Sequence, residues 1–513
     1  MNLGRVVVVA LVLLVSACSG CTLFSRTRFT LLSWTVNDDK GFPGLRIQFN
    51  TSDTATLTLS GPTDQVLFSD EYYQGVHHEN VSFAGYRRDP SHGTYTLRAY
   101  DTSKNVIFQN QMAFHGQNLS IDQVQDDWWS NATGSYLVAL HLALHNLGDL
   151  PSYPSRVTAT LEDATVQGLL LPIAVLPHQT ATVSCFVLLG PFTSKGKAVT
   201  ISLVSGEGTV LAKATHVISS PAQVASWTYT WDYHGEQTLR IPSLNWLAEY
   251  YKGMSRLDIN DDAPYVFDPY DDTYMEFLAH ELLSMSHAHS DVERIDFIAS
   301  FVQSIPYLEN TYPTYPLELL KDDHGDCDDK SILGASLLTC LGYNVSLIRL
   351  PHHMAVGVSV NASVGSFAYY VDRYYYLEMT AMNSPLGRVP PEFNGFTNET
   401  VYPIATRPLL VHSWLNATRY TTSGGPDYIR LKILVMNLGS IAAPSFEVQG
   451  AFYDVTNRSY NEHRARGSPL APQDEQIIDF EVNVPKGVAT VLRTRIYLQG
   501  FMVHERESSS WFQ

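Results

Sequence analysis

The sequence predicts a multidomain chain in which an α+β central domain is flanked by all-β sandwich domains. Three observations predict it. Stretches on both sides of the middle alternate apolar and polar residues with period two and end in turn residues. Segments in the middle carry apolar residues at helical spacing instead. Two of the β stretches also share a pattern, HNLGDLP (His145 to Pro151) against MNLGSIAAP (Met436 to Pro444), as two copies of one module would.

The chain has 513 residues, 45% of them hydrophobic, which is enough for several cores. The expected organisation is a signal peptide over 1–17, a tether over 18–27, β-sandwiches over 28–117 and 118–220, and a linker over 221–238. The α+β domain then covers 239–411 and a last β-sandwich 412–513. The leader reading rests on one early positive charge, the short apolar run Val6 to Val15, and the small residues before Cys18. Leu14-Val15-Ser16-Ala17-Cys18 resembles a prokaryotic lipobox, which implies acylation of Cys18 and a protein exported and anchored to the outer face of the cytoplasmic membrane.

A formal net charge of −18 excludes nucleic acid as a partner, because phosphate contacts need a basic surface. Five cysteines in an exported chain of this length are too few for a disulfide framework. Sequons beginning at Asn50, Asn80, Asn118, Asn131, Asn344, Asn361, Asn398, Asn416 and Asn457 would suit a glycosylated archaeal surface protein, and equally a polar surface rich in Asn, Ser and Thr.

In chain order, Thr54 to Gly61, Gly93 to Asp101, Ser135 to Pro151, Leu176 to Val187 and Lys197 to Val204 read as strands. The Asn-Leu-Gly of each repeated pattern reads as a tight turn whose Gly accepts positive φ. Asn245 to Met254, Asp272 to Met285 and Val292 to Ile305 then have helical spacing. A cysteine-headed helix follows, and after it the strands around Leu350 to Val358 and Tyr374 to Thr380. Asp427 to Pro444 repeats the earlier module. The acidic stretch Asp258 to Asp272 lacks the glycine and the spaced Glu of a calcium loop and reads as solvated.

The chemistry concentrates at HGDCDDKSILGASLLTCLGY (His324 to Tyr343). Asp326 and Asp329 form a capping box, which puts Cys327 in the first helical turn, where the helix dipole favours a thiolate. Asp322, Asp323, Asp326, Asp328 and Asp329 oppose it, so an imidazole is needed. His353 opens a strand whose same face continues with Ala355 and Gly357, small residues that leave room for a substrate. Glu378, on a following strand, is the group expected to orient His353; Asp372 competes, but VDRY reads as a hairpin turn. A zinc site from Cys327, His324 and His352 or His353 has no CxxC or HExxH pattern behind it.

GDCDDKSILGASLLTCLGY, LPHHMAVGV and YYYLEMT together resemble the cysteine, histidine and acid motifs of the transglutaminase-like superfamily, and FVQSIPY with YPLELL resembles its prokaryotic members. The family has Asp in most members where this chain has Glu378. The resemblance covers about a third of the chain and implies a papain-like core. It also implies a Cys327–His353–Glu378 triad without cofactor or metal, acting on protein or peptide amides by hydrolysis or cross-linking. The oxyanion would rest on the Cys327 backbone N–H, with Gln303 or Tyr315 as candidate second donors. The repeated β pattern resembles adhesion-type immunoglobulin-like modules of archaeal and bacterial surface proteins. Surface-layer or cell-wall peptides are the partners these resemblances suggest. A non-catalytic adhesion or scaffold protein is the alternative of a different class.

Overall fold

The computed structural model describes residues 27–192, 197–218, 222–257, 259, 261–361, 364, 370–393, 398–404, 406–421 and 426–512. The segment read as a signal peptide, with Cys18 and Cys21, lies outside them. No helix among the described residues is long and apolar enough to cross a membrane.

Period-two patterning produces paired sheets. Near the N-terminus, strands Phe29–Asp39, Phe42–Thr51 and Gly75–Ser82 form one sheet, and Ala55–Ser60, Val66–Tyr72, Gly93–Asp101 and Val106–Phe114 another. Leu45, Ile47, Phe49, Leu57, Leu59 and Leu97 fill the space between them. A second pair follows, with a four-stranded sheet ordered Thr180–Phe192, Gly134–Asn146, Leu119–Asn131, Ala222–Gln223. The last pair covers Leu410–Tyr420 to Phe501–Phe512.

The two repeated patterns form the same device. Asn146 and Asn437 are fully buried. The Asn146 amide donates to Leu150 O (2.7 Å) and Val175 O (2.9 Å) and accepts from the N–H of Asn118 and Gly148. Asn437 donates to Ile441 O (2.8 Å) and Leu470 O (3.1 Å) and accepts from the N–H of Leu409 and Gly439. Each amide thus satisfies four backbone groups from its buried position. The glycines have a different role from the one expected. Neither has positive φ. A Cβ on Gly148 would stand 2.2 Å from Gly116 O, and one on Gly439 2.3 Å from Arg407 O. Close backbone approach, not turn handedness, is what requires glycine there.

Between these sandwiches lie α1 (Asn245–Gly253), α2 (Ala263–Phe267), α3 (Asp272–Met285), α4 (Asp291–Ser304), α5 (Pro316–Asp322) and α6 (Cys327–Cys340). An antiparallel sheet follows, ordered Tyr370–Val371, Tyr374–Leu377, His353–Ser359, Asn344–Leu350, Thr400–Pro403. The expected fold class, with a papain-like α+β central domain, is overturned. The chain is mostly β, 53% strand against 14% helix, in many small sheets, and no papain-like α+β central domain is evident. Packing gives the reason. The core of the helices runs on into Tyr229 and Trp231 of the hairpin Ser226–Asp232/Glu236–Pro242, and into Trp129, Val138 and Phe186 of the second sandwich. The helices therefore do not close a core of their own. That hairpin occupies much of the stretch read as a linker.

Candidate active site

Cys327 is the first residue of α6, after an Asp326 in extended conformation. The Asp326 N–H donates to Asp329 Oδ2 at 3.2 Å. Asp329 is itself buried and accepts from Asn310 Nδ2 (2.6 Å) and from Thr314 N and Oγ1 (both 2.7 Å), so the loop before α5 is tied to the start of α6. The Cys327 thiol is half-buried. It lies against the N–H of Met354, the residue after His353. One turn along, Ser331 Oγ donates to Met354 O at 3.1 Å. Both sides of the Met354 peptide are thereby strapped to α6, which sets the histidine strand beside the thiol.

His353 is buried, and its Nε2 lies 3.0 Å from Glu378 Oε2. Glu378, fully buried just past its strand, accepts also from Tyr376 Oη (2.6 Å) and from Thr380 N (2.8 Å) and Oγ1 (2.6 Å). Burial would raise its pKa, but the hydrogen bonds from His353, Thr380 and Tyr376 and the charge of His353 outweigh this and hold it at about 2. An ionised carboxylate at Nε2 fixes the proton on that nitrogen and leaves Nδ1 bare. The Phe393 ring stacks on the imidazole, 4.1 Å between centroids and 8° between planes. Asp372 is exposed in a hairpin turn (φ 45°), at the far end of the strand pair from the histidine.

The thiol is not a resting thiolate. Burial first pushes its pKa up, the Met354 N–H opposes it, and the charges of Asp328 and Asp326 add to the rise, to about 11. Asp328 is pushed to about 8 by burial and by a hydrogen bond shared with Asp326, so it carries a proton at neutral pH. Among the described residues, Asp326, Cys327 and Asp328 form the group that could hold a cation, their ligand atoms lying within 4.8 Å of one another. They are consecutive side chains at one helix start. His324, named in the zinc reading, instead turns Nδ1 to Asp322 O, and His352 is exposed in a turn at φ 61°.

Neither oxyanion candidate stands free. Gln303 is buried and its Nε2 donates to Glu378 O (2.8 Å) and Ser384 O (2.9 Å), bracing the acid's backbone. Tyr315 is buried in an aromatic stack, 4.4 Å from the Tyr251 ring and 4.8 Å from that of Tyr265. The space expected beside Ala355 and Gly357 is filled: a Cβ on Gly357 would meet Ser346 Oγ at 2.3 Å and Tyr374 Cβ at 2.8 Å.

Sequence reasoning passed over three residues. Tyr307 is half exposed, and its phenol pKa is raised by burial and then by the Cys327 charge. Its backbone bridges to Gly325, and the N–H of Leu308 donates to Gly325 O at 3.0 Å. Lys330 is buried, donating from Nζ to Gln303 O (3.1 Å) and Ile305 O (2.7 Å) at the end of α4, and burial lowers its pKa to about 8. Phe393 is the third. The FVQSIPY run carried a signal for Tyr307; no periodic pattern marked the other two.

No family profile matches the sequence, and no curated protein matches it. Solved structures similar to the chain include a red sea bream transglutaminase, at 9% identity and TM-score 0.16 over 72% of this chain and 79% of that one. A candidate protease from Parabacteroides distasonis aligns at 10% identity and TM-score 0.18 over 70% of this chain and 94% of that one. An Amycolatopsis orientalis exo-chitosanase aligns at 9% identity and TM-score 0.16 over 91% and 76%. Likenesses this slight carry no argument about fold or activity.

Proposed function

We propose that the chain is a thiol-dependent acyl transferase or peptidase acting on protein or peptide amides at the cell surface, through Cys327, His353 and Glu378. The observation that carries this reading is the relay itself. A fully buried, ionised Glu378 holds His353 by Nε2, and the strand carrying His353 is strapped to the helix start that bears Cys327. Because the thiol rests protonated, His353 acts as a general base during attack and not as half of a preformed ion pair. Nδ1 takes the thiol proton as Sγ bonds the carbonyl carbon, and returns it to the leaving amine as the C–N bond breaks. Water or a second amine then releases the thioester. The Cys327 backbone N–H, at the start of α6, supports the oxyanion. Exposed Tyr307 and Leu308 beside Gly325, with Glu309 and Tyr312 exposed further along the same loop, suit an extended peptide carrying apolar and basic side chains.

The unactivated thiol is also what favours the alternative, a surface adhesion or scaffold protein whose central site only binds. One experiment separates the two. Residues 22–513 are incubated with a library of peptide amides, and Cys327 is mapped by mass for a thioester that hydroxylamine releases. Catalysis predicts an adduct abolished by His353→Ala. A thiol that never acylates, yet alkylates about tenfold faster per pH unit from pH 7 to 10, leaves the binding reading standing.

A further inference from the structure

A second nucleophile–base–acid arrangement lies outside this site, on the second sandwich. Ser184, His141 and Asp127 come from three adjacent strands, Thr180–Phe192, Gly134–Asn146 and Leu119–Asn131. Ser184 and His141 are direct cross-strand partners. Asp127 pairs with Ala139, which makes it the diagonal neighbour of His141 on the same face. The ladder is irregular between Asp127 and Trp128, and irregularities of this kind re-aim side chains beside functional sites. Ser184 Oγ lies 2.7 Å from His141 Nδ1, and His141 Nε2 lies 3.0 Å from Asp127 Oδ2.

Two further observations bear on reactivity. The imidazole and the carboxylate are mostly covered, at 18% and 14% side-chain exposure, and Ser184, on an edge strand, is likewise partly buried. The indole of Trp246, from α1, stands edge-on to the imidazole at 5.7 Å and 83°, and its Nε1–H is buried with no acceptor. A buried donor without a partner is costly, and a developing oxyanion would satisfy it.

We propose that Ser184, His141 and Asp127 form a second acyl-transfer site, of the serine type, for small carboxylic esters. Asp127 accepts from Nε2–H, which leaves Nδ1 bare to receive the Ser184 proton. As that proton moves, Oγ bonds the ester carbonyl carbon. The tetrahedral adduct collapses, the ester C–O bond breaks, and Nδ1–H protonates the departing alcohol. Water then gives a proton to Nδ1 and its hydroxyl to the acyl carbon, and Oγ leaves with the Nδ1 proton. Ester and water become acid and alcohol. The site shares no residue with Cys327, His353 and Glu378.

The test uses the full chain and a biotinylated alkyl fluorophosphonate, whose P–F bond is replaced by a P–Oγ bond with loss of fluoride. The expected result is a single adduct mapped to Ser184, absent in Ser184→Ala. Its rate should fall at least about tenfold in both Asp127→Asn and His141→Gln, with circular dichroism unchanged, as expected for loss of the base or its orienting acid. Asp127→Asn keeps the shape of the side chain, so it remains informative if His141→Gln unfolds. No adduct, an adduct elsewhere, or labelling of Ser184 at an unchanged rate in Asp127→Asn overturns the proposal.

Discussion

The two repeated asparagines and the Glu378 carboxylate are buried to the same degree and accept or donate the same number of hydrogen bonds, yet they do opposite things. Asn146 and Asn437 bond only to backbone, so each network begins and ends in the frame. Glu378 bonds to one backbone N–H and three side chains, and one of those side chains, His353, has a second nitrogen left over. A closed network can only hold shape, whereas an open one can pass a proton. The comparison teaches that burial and saturation alone do not mark function; what marks it is where the chain of hydrogen bonds ends.

Substitutions that cut the open end should cost most in activity and least in stability. Cys327→Ala and His353→Ala are expected to lower acyl transfer by more than about 10³, or about 4 kcal/mol of barrier, and Cys327→Ala to leave thermal unfolding nearly unchanged. A variant that unfolds early would make the network a structural one after all. The closed networks should show the reverse. Asn146→Ala and Asn437→Ala each strand four backbone groups, part of them buried, at about 3 kcal/mol per variant, and leave the kinetics of Cys327 intact. Calorimetry on both would break the comparison if one copy lost far more than the other.

Glu378→Gln tests both properties at once. It keeps the shape but offers an amide where three side-chain donors need an acceptor, so kcat should drop by about 10². It should also change the acid response. The folded pKa of Glu378 is depressed to about 2 from an ordinary 4.5, so its ionised form stabilises the fold above pH 4.5 and that contribution is lost as pH falls toward 2. The Gln variant should lack that part of the acid transition; a denaturation curve unchanged from wild type between these values would contradict the depressed pKa.

How much of this was legible in the sequence differs between frame and site. The strands Gly93–Asp101 and Gly134–Asn146 and the helices α3 and α4 fall where apolar periodicity put them, because each buries a face that local spacing can report. Periodicity does not report what that face is buried against. Nothing in the spacing of Trp129, Val138 or Phe186 showed that a sandwich strand would help close the core of the helices. That is why the central segment read as a separate α+β domain. Nothing in the sequence singled out Lys330. It is buried because the last carbonyls of α4, 25 to 27 residues earlier, supply its acceptors. Cys327, His353 and Glu378 could be singled out because each needed a residue type as well as a spacing. Their supports, Tyr376, Thr380 and Gln303, are ordinary strand and helix residues until the fold brings them together.

Phe393 gives the smallest of these effects and separates positioning from chemistry most finely. It reaches the site from a 3-10 turn, Pro391–Phe393, forty residues past the histidine, and covers the imidazole face to face. The ring covers that face and limits rotation about the bond to Cβ, so it helps to hold the imidazole in the orientation that Glu378 sets. Phe393→Ala should lower kcat by about tenfold or less with KM nearly unchanged, in the range expected when one positioning contact near the reacting atoms is lost. Phe393→Tyr keeps the stacked ring and should restore kcat. If the alanine variant instead raises KM alone and leaves kcat in place, Phe393 belongs to the substrate groove and the imidazole is held by Glu378 without it.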